Sequence, residues 1–226
     1  MKSLYLILNL ASISVPFIVS FHPRLKFYKK WKSILLAIII TTAFFISWDV
    51  IFTKNGFWGF NPEYYLGHTI AQLPIEEWMF FICIPYSCLF MHYALLELNA
   101  KLVVPKHLFK KIATLFILIL LVLTGVFYHR WYSFVNFGYG FILTTLVYRF
   151  KPELLRKFFI TFLFMLIPFF IVNGILTGSG IESEVVWYNN SENLGIRMLT
   201  IPVEDTIYAF TMILTNLVLL EYFEKK

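Results

Sequence analysis

Long apolar runs dominate the chain, and short polar segments separate them. The runs cover approximately residues 3–21, 33–53, 74–96, 109–128, 131–149, 158–177 and 202–222. Each is close to the roughly 20 residues that an α-helix needs to cross the hydrocarbon core of a bilayer. Because backbone groups in lipid must pair with one another, such runs are expected to be helical. The pattern predicts an all-α polytopic membrane bundle of about seven transmembrane helices, forming a single membrane domain over residues 1–226.

Lysine and arginine concentrate in alternate loops, which gives the predicted helices a direction. Fifteen of the 19 basic residues lie in or beside the loops after the first, third and fifth runs, or at the C-terminal end. Such residues collect on the cytoplasmic side, so the N-terminus is predicted outside and the C-terminus inside a bacterial inner membrane. The same distribution argues against nucleic acid as a partner, despite the net charge of +6, and favours membrane lipids.

The chain also repeats itself. Residues 73–77 (LPIEE) align with residues 201–205 (IPVED), and Asp49 corresponds roughly to Asn173. The predicted division is repeat one at 1–98, a linking helix at 99–129 and repeat two at 130–226. Equivalent helices then run parallel, with a pseudo-two-fold axis along the membrane normal. This arrangement predicts either two half-sites or one site shared at the axis.

Two adjacent carboxylates follow a proline at the start of a predicted helix in each repeat. These are Glu76 and Glu77 in the first and Glu204 and Asp205 in the second. Proline suits the first helical position, and acids there complement the helix dipole, so an anchoring role is one interpretation. One acid would be enough for that role, and a charge costs about 2.5–3.5 kcal/mol at mid-membrane and less towards the ends.

Adjacent helical residues point about 100° apart, so one acid of each pair can face the bundle interior while its neighbour caps the helix. Burial and mutual repulsion then favour the protonated form of an interior acid, which is the form that a general acid needs.

Aromatic side chains surround the acidic motifs. The chain has 26 Phe, 13 Tyr and 6 Trp, most of which we assign to membrane packing and interfacial belts. Those near the acids could also stabilise a cation, since aromatic faces attract positive charge. The residues expected to contact a substrate are Trp48, Asp49, Asn61, Trp78, Phe80, Phe81 and Tyr208.

Several common catalytic motifs are missing from the sequence. It contains no G-x-G-x-x-G fingerprint, no Walker loop and no G-x-S-x-G elbow. The five histidines form no cluster with metal-ligand spacing, so no metal is expected. No cofactor is evident, although flavin or nicotinamide assistance is compatible with the sequence.

At its acidic motifs the chain resembles the membrane-integral lycopene cyclases of the heterodimeric type, in their fused two-repeat form. In that family two small homologous subunits, or two halves of one chain, each carry a Pro-x-Glu-Glu/Asp motif at a membrane helix start. The matches are residues 74–81 (PIEEWMFF), 202–205 (PVED) and 60–64 (FNPEY). The second copy has Tyr208 and Phe210 in place of the Phe pair, so the halves need not be equally active.

The resemblance implies an intramolecular lyase or isomerase that converts linear lycopene to γ- and β-carotene in the membrane. An acid protonates the terminal double bond, the next double bond closes a six-membered ring, and a base removes a ring proton to give a β-ionone ring. One acid of each pair would give or take the proton and its neighbour would tune it. Contact with other carotenoid-pathway enzymes is a further expectation.

Two other functions fit the same sequence. A proton-coupled transporter could use the acids as relays, although such a protein would favour charges nearer mid-membrane in both halves. A non-catalytic carotenoid-binding membrane protein could use the same apolar interior. Pigment analysis in bacteria that make lycopene separates these functions from a cyclase.

Overall fold

The computed structural model describes residues 2–225, and within them seven α-helices form one bundle. The helices are α1 (Leu4–Val19), α2 (Trp31–Lys54), α3 (Ile75–Leu98), α4 (Lys106–Val126), α5 (Trp131–Phe150), α6 (Pro152–Leu176) and α7 (Val203–Glu224). The predicted all-α membrane bundle is confirmed. The main difference in bounds is that α6 begins at Pro152 instead of residue 158, because proline at the first helical position can start a helix.

In the described part of the chain, five helices are long and apolar enough to cross a bilayer: α2, α3, α4, α6 and α7. Helix α1 has 16 residues and rises roughly 24 Å, which is less than the hydrocarbon thickness of about 30 Å. Helix α5 buries polar side chains, including Ser133, Asn136 and Thr144, which lower its hydropathy. The outside position of the N-terminus stays a prediction from the loop charges.

Many large apolar side chains point away from the bundle. Ile39 on α2, Leu115 on α4 and Leu163 on α6 are each about 60% exposed. Such a surface suits contact with lipid tails, whereas a soluble monomer rarely exposes so wide an apolar area. The main buried core lies between α2, α3, α6 and α7.

Short antiparallel strands close one end of the bundle, which we call the motif end (loops 55–74 and 177–202). Strand β1 (Trp58–Phe60) pairs with β4 (Val186–Tyr188). Hairpin β2–β3 (Thr69–Ile70 and Leu73–Pro74) leads into α3, and hairpin β5–β6 (Arg197–Met198 and Ile201–Pro202) leads into α7. Each hairpin therefore places an acidic motif in the first turn of the helix that follows.

The β1–β4 pairing relates equivalent residues of the two repeats by a two-fold axis. Trp58 pairs with Tyr188, Phe60 pairs with Val186, and Gly59 pairs with Trp187 at the centre. At the sequence offset between the two acidic motifs, Trp58 corresponds to Val186, Gly59 to Trp187 and Phe60 to Tyr188. The Trp58–Tyr188 pair is therefore equivalent to the Phe60–Val186 pair, and the Gly59–Trp187 pair is equivalent to itself. The pseudo-two-fold axis thus passes through the Gly59–Trp187 pair. A Cβ atom at Gly59 would overlap the Trp187 ring, so the close approach requires glycine.

Candidate active site

The first acid of each motif fastens the preceding loop to its helix. Oε1 of Glu76 accepts a hydrogen bond from the backbone N–H of Leu66 at 2.8 Å. Oε1 of Glu204 accepts one from the N–H of Leu194 at 2.7 Å and another from the Ser133 hydroxyl. Both side chains are fully buried. The two loops are therefore held in the same way and at equivalent positions of the two repeats.

A buried asparagine joins the helices at each motif. The side-chain amide of Asn9 donates to the backbone carbonyl of Glu76 at 2.7 Å, which ties α1 to α3. Asn136 donates to the carbonyl of Glu204 at 2.6 Å, which ties α5 to α7. Asn9 and Asn136 are separated along the chain by almost the same number of residues as the two acidic motifs, with a difference of one residue. The internal repeat therefore extends to side-chain contacts.

The second acid of each motif accepts hydrogen bonds from tyrosine. Glu77 accepts one from the hydroxyl of Tyr5 on α1. Asp205 accepts one from the hydroxyl of Tyr132 on α5, and its Oδ2 accepts another from Tyr188 at 2.9 Å. Within residues 2–225, no salt bridge joins Glu77 or Asp205 to a lysine or arginine. Neutral phenols are thus the groups that directly contact these carboxyl groups.

One cavity of about 600 Å³ connects Glu77 and Asp205. It lies between α1, α3, α6 and α7, and the acids from the two repeats meet at its motif end. Most of its wall is apolar, with Leu8, Ile84, Met91, Leu95, Phe162, Met165, Leu176 and Ile213 among the residues that line it. Along α3 the lining runs from Glu77 to Leu98, which is roughly 30 Å of helix. The cavity is long, and its acidic groups lie near one end.

A third buried acid, Asp49 on α2, faces the same cavity. Its Oδ1 accepts a hydrogen bond from the indole N–H of Trp58, while Oδ2 is buried with no partner among the described residues. Asp49 lies close enough to Glu77 for their charges to interact. Asn173, its rough counterpart in repeat two, also lines the cavity.

Aromatic rings surround the carboxyl groups. Trp58, Phe60, Phe80 and Tyr208 line the cavity together with the three tyrosines. Tyr188 stacks on Tyr132 with ring centres 6.0 Å apart, and Trp58 lies edge-on to Tyr132 at 5.0 Å. Burial and the neighbouring Asp205 carboxylate raise the pKa of the Tyr188 phenol well above its usual value. Tyr188 is therefore neutral and able to donate its proton to a hydrogen bond.

The structure divides the residues predicted from sequence into two groups. Glu77, Asp205, Asp49, Phe80 and Tyr208 line the cavity. The others lie outside its lining, and Glu76 and Glu204 hold loops. The Trp78 indole donates to the Ile70 carbonyl, and the Asn61 amide donates to the Ser183 hydroxyl. Trp48 and Phe81 pack against Phe45 and Tyr208.

Sequence reasoning missed the phenols that contact the acids. Tyr5 and Tyr132 lie on α1 and α5, far before the motifs along the chain, and neither is part of a recognised pattern. A signal was present, since Tyr5 stands one helical turn before Asn9 just as Tyr132 stands one turn before Asn136. A Tyr-x-x-x-Asn sequence repeated at nearly the offset of the acidic motifs would have identified both positions.

The cavity opens sideways between α1 and α6. Val15 and Ile171 both line it, yet they are 64% and 60% exposed. Their surroundings match the lipid-facing surface of the bundle. An apolar molecule dissolved in the bilayer can therefore reach the cavity without crossing water. Among the described residues, no three His, Cys, Asp or Glu side chains are grouped to hold a metal ion.

Comparisons with known proteins agree with the geometry of two related halves. The family model described as lycopene cyclase matches residues 2–96 and again residues 129–223. A curated relative, a bifunctional lycopene cyclase/phytoene synthase from Arthroderma gypseum, is 31% identical over 88 residues. The alignment covers 39% of this chain and 14% of that relative. No solved structure matches the chain. Because the family model covers most of the chain in two copies, the chain belongs to the lycopene cyclase family.

Proposed function

We propose that this protein cyclises the ends of linear lycopene to β-ionone rings, giving γ- and then β-carotene. The observation that carries this proposal is the meeting of Glu77 and Asp205, from opposite repeats, at one end of a long apolar cavity. The family assignment supports lycopene as the substrate. A linear polyene lying along α3 would present its end group to these carboxyl groups.

The reaction we propose begins with proton transfer from a carboxyl group to the terminal double bond. The tertiary cation formed is attacked by the next double bond, which closes a six-membered ring and moves the charge onto it. A carboxylate then removes a ring proton. The molecular formula is unchanged, so the step is redox-neutral, and a flavin or nicotinamide would assist without being consumed.

The surroundings of the acids suit this chemistry. Few polar groups line the cavity beyond the motif end, so water would compete little for the cation. The rings of Trp58, Phe60 and Tyr208 surround the place where positive charge would develop, and each desolvated aromatic face can stabilise a cation by up to about 2 kcal/mol. We assign Glu77 and Asp205 to proton transfer, and Glu76 and Glu204 to holding their loops.

We also place the protein in the bacterial inner membrane with its C-terminus in the cytoplasm, as the loop charges suggest. Bilayer lipids would surround it and deliver the substrate. The name of the fungal relative joins lycopene cyclase to phytoene synthase in one protein. That combination supports contact between this chain and another enzyme of the pathway.

Expression in bacteria that accumulate lycopene tests the proposed function. The expected result is loss of lycopene and appearance of monocyclic and bicyclic carotenes, measured by liquid chromatography with absorption spectra. The combined variant Glu77→Gln with Asp205→Asn is the control and should leave lycopene unchanged at equal membrane abundance. Unchanged lycopene with the well-folded natural chain would contradict the proposal.

The same experiment separates the two alternatives. A carotenoid-binding protein would co-purify with unaltered lycopene. A proton-coupled transporter would leave the pigments unaltered and would move protons across vesicle membranes in response to its solute. Neither behaviour is expected of a cyclase, whose products differ from its substrate.

A further inference from the structure

The two repeats surround their cavity-facing acids differently. Asp205 accepts hydrogen bonds from two phenols, Tyr132 and Tyr188. Glu77 accepts one from a single phenol, Tyr5. The repeat-one position that matches Tyr188 is Phe60, as the symmetric β1–β4 pairing shows, and phenylalanine has no hydroxyl to donate. The second donor at Asp205 is thus absent from the same place beside Glu77.

Charged neighbours reinforce this difference. The guanidinium of Arg197 lies 5.5 Å from the centre of the Tyr188 ring, on the Asp205 side of the site. The matching position in repeat one is Thr69, which is uncharged. On the other side, Glu77 has the buried carboxyl group of Asp49 near it, and Oδ2 of Asp49 has no partner among the described residues.

These surroundings act in opposite directions on the two acids. Hydrogen-bond donors and a nearby cation stabilise a carboxylate anion. Two carboxyl groups in one desolvated place cannot both ionise cheaply, so such a pair keeps a proton. Burial acts on both acids, but the second phenol and the guanidinium make Asp205 the better able of the two to carry the negative charge, while Asp49 near Glu77 favours a proton on Glu77.

We infer that the pseudo-symmetric acids have fixed and different roles: Glu77 donates the proton that starts cyclisation, and Asp205 accepts the proton that ends it. This inference rests on the proposed function. Asp49 acts as a positioning residue for the proton of Glu77, and Tyr132, Tyr188 and Arg197 act in the same way for the anion of Asp205.

The assigned roles give a balanced reaction. The O–H bond of Glu77 breaks as its proton joins the terminal double bond, whose electron pair forms the new C–H bond. The next double bond supplies the electron pair of the ring C–C bond. A ring C–H bond then breaks, its electrons form the ring double bond, and Asp205 takes the proton. Each turnover leaves one proton fewer on Glu77 and one more on Asp205, and returning that proton restores the starting state.

Single variants at the two acids distinguish the roles by their products. With Glu77→Gln no cation forms, so lycopene should persist, with conversion reduced by about 100-fold or more. With Asp205→Asn the cation still forms but loses its proton to other acceptors. Residual conversion should then give a larger share of rings whose double bond lies elsewhere, as in ε-type rings or rings with an exocyclic methylene.

Reciprocal changes at matched positions test the positioning groups. Tyr188→Phe leaves Asp205 with a single phenol donor, as at Glu77, and should raise the share of alternative rings. Phe60→Tyr offers Glu77 a second donor and should slow conversion while the products stay β-type. Each variant changes one hydroxyl group on the paired strands β1 and β4, so the two variants serve as matched controls for each other. Membrane abundance and monodispersity in detergent show whether each variant folds.

The outcomes separate this inference from the proposed function. If the natural chain converts no lycopene, the proposed function fails. If the natural chain is active but Glu77→Gln, instead of Asp205→Asn, produces the alternative rings, the roles are reversed and the inference is overturned. Identical β-type product profiles for both acid variants would also overturn it, because the two acids would then be interchangeable.

Discussion

At the scale of single residues, the adjacent acids of each motif perform different tasks. Glu76 is fully buried and accepts the N–H of Leu66, whereas Glu77 faces the cavity and accepts the hydroxyl of Tyr5. The roughly 100° between neighbouring helical side chains makes this separation possible. A pair of acids at a helix start can therefore fasten a loop with one member and present the other to a cavity.

The contact between Glu76 and Leu66 predicts unequal effects of two substitutions at the same position. Glu76→Gln keeps an oxygen that can accept the Leu66 N–H, while Glu76→Ala leaves that buried donor unpaired at a cost of about 1–3 kcal/mol. Thermal unfolding in detergent should show a clearly lower Tm for the alanine variant than for the glutamine variant. Equal Tm values for the two variants would mean that this hydrogen bond does not hold the loop.

At the scale of secondary-structure elements, the space beside α1 and the equivalent space beside α5 are not alike. The cavity opens to the lipid side between α1 and α6, where Ala11 and Val15 are exposed. The related region between α2, α5 and α7 is filled by rings: Phe45 and Trp48 pack against Tyr208, and Tyr139 packs against Phe44. The two halves thus have equivalent helices, but the opening to the lipid lies beside α1 and has no counterpart beside α5 among the described residues.

The position of this entrance predicts that a large side chain at Ala11 blocks the substrate. Ala11→Trp should reduce lycopene conversion by an order of magnitude or more, since the indole would occupy the lateral opening. Ala43→Trp is the matched control, because Ala43 is exposed on α2 and does not line the cavity. Conversion by membranes with equal amounts of each variant is the measurement. Similar rates for both would place the entrance elsewhere.

At the scale of the whole molecule, the cavity-facing acids of the two repeats share one cavity. The axis through Gly59 and Trp187 brings Glu77 and Asp205 to a single cavity. In the proposed reaction, a substrate with two reactive ends would therefore present only one end at a time. The second end would enter after the molecule has left the cavity and turned round.

This geometry predicts that a monocyclic carotene is released before the bicyclic product forms. In a time course with purified protein in lipid vesicles, monocyclic carotene should rise first and then fall as bicyclic carotene appears. Excess lycopene should delay the bicyclic product by competing for the cavity. Bicyclic carotene formed from the start, with no effect of excess lycopene, would contradict a single site.

The sequence by itself determined the helices, the repeat and the position of the acidic motifs. Apolar runs of about 20 residues specify spans by length, and a proline followed by acids specifies a helix start, so both are local properties. The departures were also local, as at α6, where Pro152 begins the helix earlier than the apolar run. The internal repeat was visible because both motifs kept their residue types.

Only the tertiary structure decided which acid of each pair faces the cavity and which groups surround it. Tyr5, Tyr132 and Trp58 reach the carboxyl groups from other helices and strands, so their contacts depend on helix rotation and on the distance between helices. Those quantities follow from packing between residues far apart in the chain, which no local pattern contains. The packing also showed which sequence differences between the repeats matter, since it places Tyr188 and Arg197 near Asp205 where repeat one has Phe60 and Thr69.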